Sequence, residues 1–321
     1  MFRVAQTGRS TLFLAGIAAL GGCAAGSSAS PPLRSGWTAV VAGIGSDAQH
    51  YGNDFMYSSQ PYGNDATVYR REGLSLKHLE TLSAGISAPQ GMVVTRSGWW
   101  YLANAGHADV LIYRSTKKGP NGPVGSLGDG GEVPINVSVT SDRDVVAVSN
   151  LTGAGSGTGS VSIYLNRRSE PSRVLTYGSD VLAGAGVAID PQRNCFWSFR
   201  DVSKPSRLGS IVEFNQCNGT GTVVISGIAQ PGGMVFDQSG DLYYIDEAGG
   251  IYKCVGTSSC KLLAGGFGLP TDLNFDAEQK HLWVADATGY IDAVNPQTGK
   301  IELQTLSIDG DPFGIAPSPG N

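Results

Sequence analysis

Short apolar segments that follow a Gly- or Pro-containing turn recur along the chain at a period of about 40–50 residues. Most copies continue through a polar turn into an aromatic or β-branched strand that ends in Asn or Asp, then through a loop into a third strand. Strands of this kind, bounded by Gly, Asn and Asp, predict the blades of a β-propeller. The six opening segments lie at 89–94, 134–139, 184–189, 231–236, 270–275 and 312–316.

The last copy lacks its later strands because the chain ends soon after Ile315. Segments with the pattern of the missing strands lie instead ahead of the first copy, at 55–58, 66–70 and 76–82. A blade shared by both ends of the chain would close the ring and leave no unpaired sheet edge. The sequence therefore predicts an all-β fold over residues 37–321: a six-bladed β-propeller whose last blade is closed by N- and C-terminal strands.

The first residues have the three zones of a secretory signal. Arg3 and Arg9 precede an apolar run over 11–20, and small residues follow it. The run is too short to span a bilayer as a helix. We therefore expect a cleaved signal peptide at 1–22 and an exported protein.

The segment Leu20-Gly21-Gly22-Cys23 resembles the lipobox of bacterial lipoproteins. The resemblance implies cleavage before Cys23, which becomes lipidated and anchors the protein at the membrane of the bacterial cell envelope. A Ser-, Ala- and Pro-rich stretch then predicts a flexible tether at 23–36. The alternative is an ordinary cleaved signal with an incidental cysteine.

The composition of the chain limits the kinds of partner that it can bind. Only 15% of the residues are charged, 46 are Gly, and the formal net charge is −5. The abundant Gly agrees with a turn-rich all-β chain. The scattered Lys and Arg residues form no basic stripe of the kind that a phosphate backbone requires, so we expect no nucleic-acid partner.

Four cysteines follow Cys23, and an even number in an exported domain favours disulfides. Cys254 and Cys260 flank a short segment that would place them on adjacent strands of a hairpin. Cys195 begins a second strand and Cys217 ends the third strand of the same repeat. We therefore predict Cys195–Cys217 and Cys254–Cys260, with four unpaired thiols as the alternative.

The segment Tyr101-Leu102-Ala103-Asn104-Ala105-Gly106, together with Val110-Leu111-Ile112-Tyr113, resembles NHL-type repeats. Such repeats belong to the six-bladed propeller group that includes gluconolactonase-like and strictosidine-synthase-like proteins. The resemblance implies the fold but leaves the function open, because the group contains hydrolases, lyases and binding scaffolds.

Metal-dependent lactonases of that group carry acidic or amide ligands at the middle position of the turn that opens each first strand. A hard cation needs several oxygen ligands, usually including carboxylates, which this chain does not supply there. We therefore expect no metal or cofactor at these positions. Their occupants are Gln90, Ile135, Ala185, Gly232, Thr271 and Phe313.

Asn136 and Asp272 stand one place later, where other copies have Gly. One explanation is that they tolerate a left-handed turn conformation. The other is that they are polar groups at the mouth of the central channel. With Gln90 and Thr271 they form the predicted ligand-binding set, and no residue is predicted to be catalytic.

The Asn or Asp residues that end the second strands occupy equivalent positions in successive repeats, so a ring spreads them apart. We expect them to bond neighbouring backbone N–H groups rather than to form a carboxylate cluster. They are Asn104, Asn150, Asp201, Asp246 and Asp286.

Two classes of function remain. The first is a membrane-anchored, non-catalytic binding or scaffold protein that holds a peptide, a glycan or an envelope protein. The second is a lactonase, esterase or lyase-type enzyme with a site at the central channel. The absence of recognisable channel ligands in the sequence favours the first class, because an enzyme needs convergent polar groups in a concave site.

Overall fold

The computed structural model describes residues 55–116, 119–152, 157–178, 182–203, 206 and 208–318. These residues form six four-stranded antiparallel sheets arranged as blades around an axis. The protein is therefore a six-bladed β-propeller, which confirms the predicted fold class. The predicted signal peptide, the tether, Cys23 and the predicted start of the propeller at residue 37 lie outside the described residues.

The first three blades are built as follows, from the axis outwards. Blade 1 contains β24 (Gly314–Pro317), β1 (Phe55–Gln60), β2 (Asp65–Glu72) and β3 (Ser75–Leu82). Blade 2 contains β4 (Pro89–Val94), β5 (Trp99–Asn104), β6 (Asp109–Arg114) and β7 (Pro123–Gly128). Blade 3 contains β8 (Pro134–Val139), β9 (Val145–Asn150), β10 (Ser160–Leu165) and β11 (Arg173–Leu175).

The other three blades repeat this order from the innermost to the outermost strand. Blade 4 contains β12 (Leu182–Ile189), β13 (Cys195–Asp201), β14 (Gly209–Phe214) and β15 (Thr222–Ile228). Blade 5 contains β16 (Pro231–Phe236), β17 (Leu242–Asp246), β18 (Gly250–Val255) and β19 (Ser258–Gly265). Blade 6 contains β20 (Pro270–Phe275), β21 (Leu282–Asp286), β22 (Tyr290–Val294) and β23 (Ile301–Leu306). Short 3-10 turns lie at Ala105–His107 and Asn215–Cys217.

The inner strands contact one another in succession around the ring, and β24 contacts both β4 and β20. We call the face where each outer strand leads into the next inner strand the linker face. The opposite face, where each inner strand turns into the second strand of its blade, is the turn face. Both faces are built from loops carried by the rigid blades, so either can hold a binding site.

Second strands are apolar on both sides because each is covered by a blade on either side. Along β5, Trp100 and Leu102 pack with Tyr57 of blade 1, whereas Tyr101 packs with Val146 of blade 3. Successive side chains of a strand point to opposite faces, so a strand between two blades carries mostly apolar residues on both faces. This explains the aromatic second strands in the sequence.

The predicted closure of the ring is confirmed. β24 pairs antiparallel with β1, and Ser59 lies opposite Gly314. The Oγ of Ser59 accepts a hydrogen bond from Gly314 N at 2.8 Å and donates one to Gln90 O at 2.6 Å. The buried hydroxyl therefore links the closing strand to the neighbouring blade.

Both predicted disulfides are present. Cys195–Cys217 has a Cα–Cα distance of 4.7 Å and Cys254–Cys260 one of 3.9 Å. Each bridge lies within one blade, although Cys217 lies in the 3-10 turn after β14 rather than at the end of that strand. Such cross-links stabilise a fold mainly by restricting its unfolded chain.

A methyl group added at Gly314 tests the closing contact. The new Cβ would lie 2.3 Å from Gln90 O and 3.0 Å from Gly91 Cα. We expect Gly314→Ala to lower the free energy of unfolding by about 1–3 kcal/mol, measured by urea denaturation, because the inner strands must move apart. Gly125→Ala is the matched control, since no atom lies within 4 Å of the position that its added methyl group would occupy. Equal losses in the two variants would contradict the close approach at the axis.

Candidate functional site

The inner strands approach one another so closely at the axis that most carry Gly there. A Cβ at Gly91 would lie 2.3 Å from Asn136 Nδ2, and one at Gly233 would lie 2.8 Å from Asp272 Oδ1. Neither Asn136 nor Asp272 has a positive φ, so the left-handed explanation for this column does not hold. Four of the six positions are Gly because the side chains of Asn136 and Asp272 and the neighbouring backbone occupy the space at the axis.

These two side chains bond to each other across the ring, from blade 3 to the opposite blade 6. Asn136 Nδ2 donates to Asp272 Oδ1 at 3.1 Å. Asp272 Oδ2 accepts from the backbone N–H groups of Ile315 at 3.2 Å and Met92 at 3.4 Å, and Asn136 Oδ1 accepts from Val187 N at 3.2 Å. The pair thus joins the inner strands of five blades and occupies the centre of the channel.

Burial dominates the electrostatics of this axial pair. Asp272 is 3% exposed and Asn136 is 7% exposed. Burial raises the pKa of Asp272 to about 7, and the backbone hydrogen bonds from Ile315 and Met92 lower it in part. The role of this carboxyl group is therefore structural, because a ligand could bind it only by displacing its protein partners.

Gln90 and Thr271 also lie near the axis, but their polar groups face the protein. Thr271 Oγ1 donates towards Phe313 O at 2.9 Å and Ala285 O at 3.2 Å. Gln90 is buried, and its Nε2 donates to Ala88 O at 3.4 Å. Of the four predicted ligand-binding residues, the structure brings Asn136 and Asp272 into contact and leaves Gln90 and Thr271 bonded to backbone. Their binding role stays a prediction.

A carboxylate that the sequence did not single out lies at the linker-face mouth. Glu247 follows β17, and its Cγ would lie 3.2 Å from a Cβ placed at Gly232. Gly232 is the one residue without a side chain among the six middle positions of the opening turns, and the Glu247 side chain covers it. Glu247 is 7% exposed, and burial raises its pKa well above the usual range, while the charge of Arg200 opposes that shift.

Arg200 reaches the same place from blade 4. It lies on β13 two residues beyond Ser198, so both side chains are on the same face of that strand. Ser198 Oγ donates to Gly232 O at 2.9 Å, which places this strand face against the turn that Glu247 covers. The mouth thus combines a buried acid and a guanidinium from adjacent blades.

The rest of the mouth is mostly apolar. Ile135, Ala185 and Phe313 are half-buried at their middle positions. The exposed ring of Tyr62, from the loop after β1, contacts the ring of Phe313 edge-on at 5.8 Å between centroids. An apolar rim with a few polar groups is the usual lining of a small-molecule site.

The mouth does not fit a hard cation. The side-chain oxygens that the described residues place there are one carboxylate, which is near the positive charge of Arg200, and the protein-bonded groups of Gln90 and Thr271. Ca²⁺ takes about six to eight oxygen ligands, as a rule with several carboxylates. In the part of the chain that the structure describes, no group of three or more His, Cys, Asp or Glu side chains is placed to hold a metal ion.

Four of the five recurring residues bond backbone N–H groups as predicted: Asn104, Asp201, Asp246 and Asp286. Asn150 differs, because its side chain donates to the side chains of Ser160, Ser162 and Glu132. Asp246 accepts hydrogen bonds from the N–H groups of Ala229 at 3.1 Å and Gln230 at 2.9 Å. Asp286 does the same for Leu269 at 2.9 Å. Each carboxylate fixes the linker that arrives from the preceding blade, and so shapes the linker face without facing a ligand.

A second polar network lies on the turn face. His281 Nδ1 is 2.9 Å from Asp276 Oδ2, its Nε2 is 3.4 Å from Glu302 Oε2, and Arg71 Nη1 is 3.6 Å from the same Asp276 oxygen. A pocket of about 140 Å³ adjoins Asp276. Sequence reasoning does not find this network because Arg71 and Glu302 come from different blades, and the pocket is small for an organic ligand.

Comparison with known proteins supports the fold. No family model matches the chain, and no curated protein matches it in sequence. A protein of unknown function from Desulfotomaculum acetoxidans is similar in structure, with a TM-score of 0.58, 12% identity, and coverage of 83% of this chain and 99% of that one. Within the described residues, no helix is long and apolar enough to cross a membrane.

Two further similar structures carry functional descriptions. The calcium-binding protein regucalcin from Agrobacterium tumefaciens has a TM-score of 0.54 and 12% identity, covering 71% of this chain and 77% of that one. A protein from Bacteroides fragilis, proposed to be a 6-phosphogluconolactonase, has a TM-score of 0.57 and 12% identity, covering 83% of this chain and 98% of its own. At this identity the likeness shows a shared propeller fold, and function has to be argued from the site.

The pKa of Asp272 has a consequence for stability. Between its ordinary value of 3.8 and its folded value of about 7, the unfolded chain releases a proton that the folded chain keeps. Stability from this group is therefore full below about pH 4 and is lost as the pH rises to about 7. Asp272→Asn lacks this loss, so the stability of the native protein relative to the variant should fall by a few kcal/mol over that range. Urea denaturation at several pH values measures it, with the exposed Asp311→Asn as control. Parallel pH profiles for the native protein and Asp272→Asn would contradict the burial of this carboxyl group.

Proposed function

We propose that the protein is an exported propeller that binds a small polar ligand at the linker-face mouth of its channel, through Glu247 and Arg200. The observation that carries the proposal is the buried Glu247 carboxyl group over Gly232, with Arg200 near enough to oppose the rise in its pKa. A buried carboxyl group within electrostatic reach of a guanidinium, at an apolar rim, is the kind of group that functional sites use.

The two groups define the chemistry of the ligand. Because its pKa is raised, Glu247 keeps its proton to a higher pH than an ordinary Glu and can donate a hydrogen bond to a ligand oxygen. Arg200 offers a planar set of donors that suits a carboxylate or another negatively charged oxygen group. The ligand that fits is a small organic acid, ester or lactone. The axial pair of Asn136 and Asp272 would lie beneath it.

Glu247 also supports the enzyme alternative. A carboxylic acid with a raised pKa is suited to protonate the leaving oxygen of an ester or lactone as water attacks the carbonyl carbon. The charge of Arg200 would stabilise the negative oxygen that develops on that carbon. The structural likeness to a proposed lactonase agrees with this interpretation. We therefore place hydrolysis ahead of a scaffold role for an envelope protein, peptide or glycan.

The cellular location belongs to the same proposal. Cys23 would carry lipid at the membrane, and the tether at 23–36 would leave the propeller free to meet a diffusible ligand. The two disulfides support export, because such bonds persist in oxidising compartments.

Ligand binding at the mouth can be tested with the purified full-length protein. Small carboxylic acids, sugar lactones and simple esters would be screened by thermal shift and calorimetry, and each binder assayed for hydrolysis. We expect Glu247→Gln and Arg200→Ala to weaken binding at least about tenfold while the fold is retained, because each removes one of the polar groups that orient the ligand. Glu278→Gln and Arg96→Ala, which are exposed residues on the turn face, are the matched controls.

The same variants separate the two functions. If the site is catalytic, Glu247→Gln should lower the turnover of bound substrate by much more than it lowers affinity, because the lost proton acts in the transition state. Unchanged binding and turnover in both mouth variants would place the site elsewhere and overturn the proposal.

A further inference from the structure

A second group of polar side chains lies between blades 2 and 3, away from the channel. Asp129 and Glu132 lie in the linker from β7 to β8, and Asn150 is the last residue of β9. Asn150 Nδ2 donates to Ser160 Oγ and Ser162 Oγ, each at 3.0 Å, and to Glu132 Oε2. The linker between two blades is therefore bonded into one compact set of oxygen-bearing groups.

Two oxygens of this set are buried without a partner. Asp129 is 1% exposed, and its Oδ1 accepts a hydrogen bond from Tyr164 OH at 2.7 Å. Its Oδ2 and the Oδ1 of the fully buried Asn150 accept no hydrogen bond from any described residue. A buried acceptor without a donor costs about 1–3 kcal/mol, so each of these oxygens indicates a missing partner.

The two carboxylates of the group repel each other, and among the described residues no cation lowers the pKa of Asp129. Glu132 lies close enough that its negative charge acts on Asp129, and both belong to the same linker. Ser160 Oγ donates to Glu132 Oε2, as Asn150 does, so neutral donors rather than cations surround this carboxylate. Like charges held together inside a protein are costly unless a cation pairs with them.

We propose that this group binds a hard divalent cation, Ca²⁺, between blades 2 and 3. Carboxylate, amide and hydroxyl oxygens form the ligand set that Ca²⁺ prefers, and none of these five side chains offers a nitrogen or sulfur ligand that would favour a transition metal. Asp129 Oδ2, Asn150 Oδ1 and the Glu132 carboxylate are the protein ligands, and the hydroxyl groups of Ser160 and Ser162 turn their oxygens to the ion. Water completes the coordination.

Ca²⁺ is favoured over Mg²⁺ by the geometry of the group. Both carboxylates come from a loop, while the amide and the hydroxyls come from strands, which gives an irregular set of directions. Mg²⁺ demands a near-ideal octahedron and holds its water, whereas Ca²⁺ accepts irregular coordination. The ion would clamp the linker of blade 2 onto blade 3, so it serves the propeller and leaves the channel mouth to the ligand.

Calorimetry on the full-length protein, treated with a chelator and then titrated with CaCl₂ or MgCl₂, tests the site. We expect one saturable Ca²⁺ site per chain, weaker Mg²⁺ binding, and a Ca²⁺-dependent rise in the thermal unfolding midpoint. Asp129→Asn and Glu132→Gln should each weaken Ca²⁺ binding roughly tenfold or more, since affinity follows the number of charged ligands. Glu132 is only half-buried, so its isosteric variant keeps a folded protein in the test even if Asp129→Asn does not fold.

Asp109→Asn is the matched control, because this carboxylate accepts a hydrogen bond from Asn104 Nδ2 at 2.7 Å in blade 2 and lies outside the group. It should leave Ca²⁺ affinity unchanged. The absence of saturable Ca²⁺ binding, Mg²⁺ binding as tight as Ca²⁺ binding, or undiminished Ca²⁺ affinity in Glu132→Gln would overturn the proposal. None of these results depends on ligand binding at Glu247, so the two proposals fail or stand separately.

Discussion

The hydrogen bond from Asn136 to Asp272 is the contact around which the ring is organised. It joins opposite blades across the axis, and the backbone N–H groups of Met92 and Ile315 bond to the same carboxyl group. Inner strands at this separation leave no space for other side chains, which is why Gly occupies the equivalent position in the remaining blades. These contacts fill the axis, so the binding site that we propose lies at a face of the propeller.

The linker face is the better candidate for that role because its chemistry differs from the structural pattern around it. Asp246 is occupied with backbone N–H groups, whereas the next residue, Glu247, turns inwards over Gly232 and meets the charge of Arg200. On the turn face the polar side chains of Asp276 and His281 bond mainly to each other and to Glu302. A buried titratable side chain beside an opposite charge is more informative about function than one whose bonds fix the backbone.

The sequence predicted the parts of the molecule that depend on periodicity. Strand positions, the shared blade, both disulfides and the turn role of the recurring Asp residues follow from local patterns that repeat. Glu247 could not be found this way, because its importance comes from the missing side chain of Gly232 on another strand. The sequence does show that Gly232 is the one Gly among the six middle positions. It does not show that Glu247 lies next to it.

Close approach and backbone conformation both favour Gly, so the column containing Asn136 and Asp272 allowed two explanations. The structure shows that the close approach of the inner strands is the reason. The group of Asp129, Glu132 and Asn150 was equally hidden, because its members join a linker of one blade to a strand of the next.

A double-mutant cycle between the axial residues tests the central contact most directly. Asp272→Ala, Asn136→Ala and the double variant would be unfolded by urea near pH 8, where Asp272 is charged in both the folded and the unfolded protein. A hydrogen bond to a charged group across the ring should give a coupling energy of about 1.5–3 kcal/mol. Losses that simply add, within about 0.5 kcal/mol, would show that the two side chains do not hold the ring together.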